Sequence, residues 1–484
     1  MRREIPPIAK TQILGFVAVF AALYSVLIFK VFTVPITHDE AWTVINYTKY
    51  STWEIMMYPD AWPNNHILNT LFTKFSCWIF GTHDWSARIP NLLFYIVYAF
   101  GVFRFLRVTI QDKMYLFLPA ALLFLLSPYF LDFFALSRGY GISSALTMLS
   151  LSFFVSGFHH RINKHIWWAV GLALLASYAN FTVLVFWAAA VLMAALYFLL
   201  FKSSWGECLK RWGILAITSV GYLTLIAQPI YKMRSTDQFE YWTSKGFYDE
   251  TIFSVVHKSL LDSGVFTRAD WVAFGVFLCT IFLWVIALLI LFKSRFSKEG
   301  FRQPLVIISL VLAFTVSVNL IQTSVLGVPN LNGRTALFLL PIFTALIVSG
   351  LRFIPKGKFR GVGPVLAGLI VLIAIQHLTT TVRTDSFKEW KFDASTFVVL
   401  DEIESKDGSK VTLATHWLYN NSFAFYKKYE SVPWLELASY DEVIDPASNA
   451  DYYYLPSEEV HLLEERFQIV SEYQGGAVLM KRLD

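Results

Sequence analysis

The sequence predicts a polytopic α-helical membrane protein with a small α/β domain at its C-terminal end. Three observations predict it. Apolar residues make up 56% of the 484-residue chain and charged residues only 15%, outside the range of an ordinary soluble domain. The apolar residues gather into about eleven runs of roughly 17–23 residues, the length that crosses a hydrocarbon core. From about residue 381 the composition turns acidic and mixed, with short β-type runs.

The predicted spans are 12–34, 90–106, 114–131, 139–157, 166–181, 182–200, 213–230, 270–292, 303–323, 335–352 and 362–380. The stretch 166–200 divides at its one polar interruption, Ser177-Tyr178-Ala179-Asn180, and charge parity supports that division. With eleven spans and the N-terminus inside, the inner loops hold Arg2, Arg3, Lys10, Arg104, Arg107, Lys113, Arg161, Lys164, Lys202, Lys210, Arg211, Lys293, Arg295, Lys298, Arg302, Arg352, Lys356, Lys358 and Arg360. That is roughly 19 basic against about 4 acidic residues inside, and about 10 against about 11 outside. Fusing 166–200 into one span moves the last three basic loops outside and destroys the asymmetry. The C-terminal segment is therefore expected outside.

Two outer loops and a tail interrupt the spans. Residues 35–89 include His66–Phe80, whose mixed faces suggest a helix lying in the interface. Residues 231–269 are aromatic (Phe239, Tyr241, Trp242, Phe247, Tyr248), and Tyr241 and Trp242 either anchor the loop at the interface or offer a stacking face to a ligand. The tail, 381–484, carries strand-like runs at Lys410–Thr415, Asp451–Leu455, Gln468–Tyr473 and Ala477–Lys481. A helix is expected over Glu458–Phe467, with Val460, Leu462, Leu463 and Phe467 as its apolar stripe. The net charge of +5 is spread over short loops and is not a nucleic-acid signature. The first span is too long for a signal peptide and lacks a cleavage site before His38. Cys77, Cys208 and Cys279 offer no disulfide framework or metal spacing. Three matches to the glycan-acceptor pattern, at Asn46, Asn180 and Asn420, are close to chance.

The chemistry-bearing residues gather where spans meet the outer surface. Thr37-His38-Asp39-Glu40 puts two adjacent carboxylates just past the first span. Carboxylates there either end a helix cheaply or act as a general base toward an acceptor hydroxyl or amine, one doing the chemistry while the other orients a neighbour. Arg88, Arg138 and Arg334 each fall at an outer span boundary. An arginine there snorkels to the headgroups or binds an anion, and two or three converging forks make a clamp for a phosphate.

In order and orientation, residues 1–380 resemble the multi-spanning glycosyltransferases of the GT-C type that use polyprenyl-phosphate sugars, the group of the protein O-mannosyltransferases and the lipid A aminoarabinose transferase. Asp39-Glu40 matches their Asp-Glu pair. Pro63-Asn64-Asn65-His66-Ile67-Leu68 is similar to their His-Pro-Pro-Leu element without its prolines. Ser86-Ala87-Arg88-Ile89-Pro90 resembles Ala-Leu-Arg-Leu-Pro, and Arg138-Gly139-Tyr140 matches Arg-x-Tyr. Arg334-Thr335-Ala336-Leu337-Phe338-Leu339-Leu340-Pro341 loosely resembles Arg-Tyr-Leu-Leu-Pro. No motif covers the tail.

The resemblance implies a sugar donor on undecaprenyl or dolichyl phosphate, entering from the membrane. Arg88, Arg138, Tyr140 and Arg334 would bind the donor, and Asp39 would be the base of an inverting displacement. Glu40 and His66 would position donor or acceptor. No cofactor is required, although His38, Asp39 and His66 could instead surround a divalent metal ion. A transporter or flippase of lipid-linked sugars, or a polymerase sharing the donor chemistry, is the alternative. The acceptor could be protein, lipid or another glycan. With no endoplasmic-reticulum retention signal at Lys481-Arg482-Leu483-Asp484, a bacterial plasma membrane is the expected location.

Overall fold

A computed structural model describes residues 10–110, 113–235, 246–260, 269–353, 361–407, 410–430, 432–438, 443–473 and 475–483. Phe239, Tyr241 and Trp242, named above as an interface anchor or stacking face, lie outside the described residues, as do Arg2, Arg3, Lys356, Lys358 and Arg360.

Among the described residues eight helices are long and apolar enough to cross a membrane. The remaining three expected spans are shorter or broken. The 166–200 stretch does separate at Asn180, whose extended backbone ends the helix Asn163–Ala179 and whose side chain accepts from Thr182 N–H at 3.1 Å. The expected span 114–131 is not one helix. Phe117–Leu125 stops before Ser127, and Pro128 opens a separate turn, because proline disfavours helical backbone at the residue before it. In place of 335–352 a 3-10 turn, Gly333–Ala336, precedes the shorter helix Leu339–Leu351.

Burial ranks the helices. Gly139–His160 is 89% buried over its apolar window, whereas Lys10–Thr33 and Val362–Thr381 are each 17% buried. The first is thus the central post of the bundle. The others turn Leu14, Phe29, Val365 and Leu372 outward, the surface expected where lipid replaces water. Close approach to the post depends on Gly139, where a Cβ would fall 2.0 Å from the Ala179 carbonyl oxygen and 2.9 Å from His66 Cβ.

The tail forms a five-stranded sheet of order β2-β1-β3-β5-β4, with β1 Val411–Thr415, β2 Leu435–Leu437, β3 Tyr452–Pro456, β4 Phe467–Tyr473 and β5 Ala477–Arg482. β1 runs parallel to β2 and β3, and β5 runs antiparallel to β3 and β4. β3 is buried on both faces. Tyr452 and Tyr454 join Leu413 on one side, and Tyr453 and Leu455 join Ala414 on the other, as the two-residue period requires. β2 is too short to show a periodic signal. The helix expected over Glu458–Phe467 is instead a 3-10 turn, Ser457–Leu462. Val460 and Leu463, three apart, face inward while Leu462 is exposed, and Phe467 already belongs to β4.

This sheet is bound to the bundle. The crossover helix Trp417–Tyr429 packs its Tyr419, Phe423 and Tyr426 into a core that also holds Ile36, Ala41, Val44 and Ala87. The Tyr426 hydroxyl accepts from Ile36 N–H at 2.7 Å and donates to Asp84 at 3.0 Å. Asp393 accepts from His38 N–H at 2.8 Å and from Ser422 at 2.7 Å. The helix His38–Asn46 therefore lies between bundle and sheet.

Candidate active site

Thr37-His38-Asp39-Glu40 folds as a capping box: the Thr37 hydroxyl faces Glu40 N–H, and the Glu40 carboxylate accepts from Thr37 N–H at 3.0 Å. The two carboxylates stand one residue apart on a helix, about 100° around the axis, so they point to different places.

Glu40 points inward. It is fully buried and accepts from Arg88 Nε at 2.9 Å, Arg88 Nη2 at 2.8 Å and Ser137 N–H at 2.6 Å. Arg88, also fully buried, donates further to the carbonyls of Val34 at 2.6 Å and Pro35 at 2.8 Å. Every fork of this arginine is occupied. Neither residue lines the cavity, where the resemblance would have Arg88 bind donor and Glu40 position donor or acceptor. The pair is a strut that fixes the start of the Asp39 helix and the residue just before Arg138.

Asp39 points outward into a cavity of about 1740 Å³. Pockets for one small ligand run to roughly 300–1,000 Å³, so this one has room for two substrates. Asp39, His66, Arg138, Tyr140 and Arg334 all line it. Asp39 Oδ2 lies 3.5 Å from Arg138 Nη2 and 3.4 Å from Arg334 Nη1. Burial works to raise the Asp39 carboxyl, but Arg138 and then Arg334 outweigh it and hold it below its ordinary value.

Arg138 is the counterpart of Arg88. Its side chain is 3% exposed, its Nε has no hydrogen-bond partner, and its Nη contacts are long, with Asn64 O at 3.4 Å and Asp39 at 3.5 Å. A charge-assisted hydrogen bond closes at about 2.7–2.9 Å, so this buried fork is under-satisfied. It also caps the N-terminus of the Gly139–His160 helix, where the backbone adds partial positive charge.

His66 is almost as enclosed, at 8% exposure. Burial first, then Arg138 and Arg334, push its pKa well below the ordinary value and keep the imidazole neutral. Its Nε2 lacks a partner. The Tyr140 ring packs edge-on against it, centroids 5.0 Å apart. His38 is committed elsewhere: Nδ1 meets the Leu418 carbonyl at 2.9 Å, and Nε2 meets the Asn421 amide nitrogen at 3.0 Å. Among the described residues no three His, Cys, Asp or Glu side chains are placed to hold a metal ion, so His38, Asp39 and His66 do not converge as the metal alternative requires.

No protein-family model and no curated protein matches the chain. Among solved structures, ArnT from Cupriavidus metallidurans in the apo state is similar over 97% of this chain and 98% of its own, at 13% identity and a TM-score of 0.53. The fold is GT-C. ArnT from the same organism bound to undecaprenyl phosphate covers 98% of each chain at 14% identity and a TM-score of 0.45. The archaeal oligosaccharyltransferase AglB from Archaeoglobus fulgidus, in complex with an inhibitory peptide and a dolichol-phosphate, covers 98% of this chain and 75% of its own at 11% identity and a TM-score of 0.45. The chain is thus an integral membrane protein of GT-C architecture, and its chemistry rests on its own residues.

Several cavity residues carry no motif. Glu389, on the 3-10 segment Lys388–Asp393, accepts from Tyr129 at 2.8 Å and Lys258 at 2.5 Å. Burial works to raise Glu389, but Lys258, Tyr129 and Arg334 hold it below the usual carboxylate value. The tail and the second loop thus each place a charge in a cavity that the spans only half build. Asn180, read in the sequence only as part of a turn, also lines it, with Trp417 and Asn421 from the sheet domain. The capping box was the one local signal available: Thr-x-x-Glu marks Glu40 as bound to the backbone and leaves Asp39 free.

Proposed function

We propose that the protein transfers a sugar from a polyprenyl-phosphate donor to an acceptor on the extracytoplasmic face. The observation that carries this reading is Arg138: a buried, under-satisfied guanidinium beside Arg334 and Asp39, in a two-substrate cavity at the top of a GT-C bundle. The fold shared with ArnT from Cupriavidus metallidurans supports a membrane-embedded transferase.

In the proposed step an acceptor oxygen attacks C1 of the donor sugar from the face opposite the phosphate. The C1–O bond breaks with its electron pair on the phosphate oxygen, the acceptor proton passes to Asp39, and the new glycosidic bond is inverted. The departing polyprenyl phosphate gains one negative charge. Arg138 and Arg334 stabilise that gain, so they bind the transition state more strongly than the donor. Fixed guanidiniums meet this charge in the proposed step. His66 Nε2, a neutral acceptor, receives a hydroxyl hydrogen bond from a bound sugar.

Membranes carrying the protein, supplied with radiolabelled polyprenyl-phosphate sugars, are expected to release lipid phosphate and label an acceptor. Arg138→Ala is expected to lower turnover by about 10²–10³-fold, the cost of one oxyanion-stabilising donor. Turnover in Arg138→Ala equal to wild type would remove the phosphate from this subsite.

A further inference from the structure

The cavity has a second wall that the transfer step does not use. His38 and Trp42 stand four residues apart, on one face of the helix that carries Asp39. Across from them the sheet domain presents the first turn of Trp417–Tyr429. Trp417 stays 43% exposed and meets His38 edge-on, centroids 5.8 Å apart, and Asn421 is hydrogen-bonded to His38. Trp62, 52% exposed, lines the same cavity. The exposed indoles of Trp417 and Trp62, with the half-buried Trp42 and a side-chain amide beside them, match a pyranose, whose apolar C–H face stacks on aromatic rings while its hydroxyls need paired donors and acceptors.

We propose that Trp417, Trp42 and Asn421 form an acceptor-sugar subsite, so that the acceptor is itself a glycan; this rests on the transferase reading above. Position assigns the wall to acceptor and not to donor. The donor phosphate belongs at Arg138 and Arg334, whereas the wall continues from His38, the immediate neighbour of the base. An acceptor hydroxyl within hydrogen-bond reach of Asp39 puts its own ring against this wall. The subsite also gives the sheet domain a task, since it contributes the indole and the amide.

The test is saturation-transfer NMR on the full chain in lipid nanodiscs free of glycoside detergent. The probes are a mixture of methyl pyranosides (gluco, galacto, manno and N-acetylglucosamine forms) and a serine/threonine peptide. Saturation transfer to the ring protons of at least one glycoside is expected, reduced at least fivefold in Trp417→Ala, largely kept in Trp417→Phe, and unchanged in Trp205→Ala, an exposed tryptophan away from the cavity. Absence of glycoside signal, signal indifferent to Trp417→Ala, or signal on the peptide alone would overturn the subsite. Donor turnover on the same samples separates the two readings. In Trp417→Ala, transfer to acceptor should fall at least tenfold while donor hydrolysis by water persists; an equal fall in both would make the wall a donor contact. Sugar binding without turnover of any donor would leave a sugar site and remove the transferase reading beneath it.

Discussion

Arg88 and Arg138 are the same side chain in opposite states. Arg88 has every fork closed at 2.6–2.9 Å by Glu40 and backbone carbonyls, while Arg138 is buried with an orphan Nε and contacts of 3.4–3.5 Å. One is fully paired within the protein; the other is buried with its fork under-satisfied, which is why the proposed phosphate is placed there. The adjacent acids divide the same way, Glu40 into the strut and Asp39 into the cavity. The sequence shows all four residues at membrane boundaries but cannot tell which are satisfied, because the partners are backbone atoms and residues 48 and 97 positions away. The Asp39 pKa gives a pH prediction. Since Arg138 and Arg334 hold it below the ordinary aspartate value, it is ionised above that value and loses its charge only as pH falls through a still lower one. With Asp39 held down and His66 shifted down by burial and the same arginines, kcat/KM for the donor should show no acid limb near neutral pH, apart from ionisations of the donor itself. A bound phosphate that draws the guanidiniums away and adds negative charge beside Asp39 should move the acid limb of kcat to higher pH. A pH–rate titration checks both, and an acid limb of kcat/KM near pH 6–7 would contradict Asp39 as the base.

The Gly139–His160 helix carries Arg138 at its N-terminus, and its packing sets where that arginine stands. At Gly139 a Cβ would meet backbone, the Ala179 carbonyl at 2.0 Å, so the neighbouring helix and His66 must move. Gly139→Ala is expected to cost about 1–3 kcal/mol or more and to abolish turnover by displacing Arg138 and His66 together. Gly171→Ala, in a helix with nothing within 4 Å of the added Cβ, should be neutral or slightly stabilising. Thermal unfolding of both variants in nanodiscs makes the comparison; equal stability would mean that the post does not set the site. Elements were legible wherever hydrophobic length or period decided them: the long spans, the turn at Asn180, and four of the five strands. They were illegible where a local rule was overridden. Pro128 broke an apolar run that length alone made a span, and the apolar stripe at 458–467 followed a period of three and not four.

Across the whole molecule, the site lies between two parts that composition separates. The bundle supplies Arg138, His66 and Arg334, the tail supplies Glu389, Trp417 and Asn421, and the Asp39 helix is clamped between them by Tyr426 and Asp393. The sequence revealed the tail as a distinct α/β unit but not that it closes the cavity, since no motif marks Glu389 or Trp417. The charge asymmetry of the loops predicts that this assembly faces outside. In a background with Cys77, Cys208 and Cys279 replaced, Glu458→Cys on the sheet domain should react with an impermeant maleimide in intact cells. Ser203→Cys, between Leu200 and Trp205, should react only after permeabilisation. The reverse pattern would invert the topology and place the chemistry in the cytoplasm.

Transfer from labelled polyprenyl-phosphate sugars by Asp39→Asn and Glu40→Gln, measured side by side per mole of folded protein, tests the division of labour most directly. Asp39→Asn should fold with wild-type stability and lose at least about 10²-fold in turnover, the lower range for a general base. Glu40→Gln should lose thermal stability and folded yield, because breaking a buried ion pair costs about 3–5 kcal/mol, with the surviving folded fraction retaining measurable transfer. Full activity in Asp39→Asn, or a stable, inactive Glu40→Gln, would contradict the assignment of base and strut.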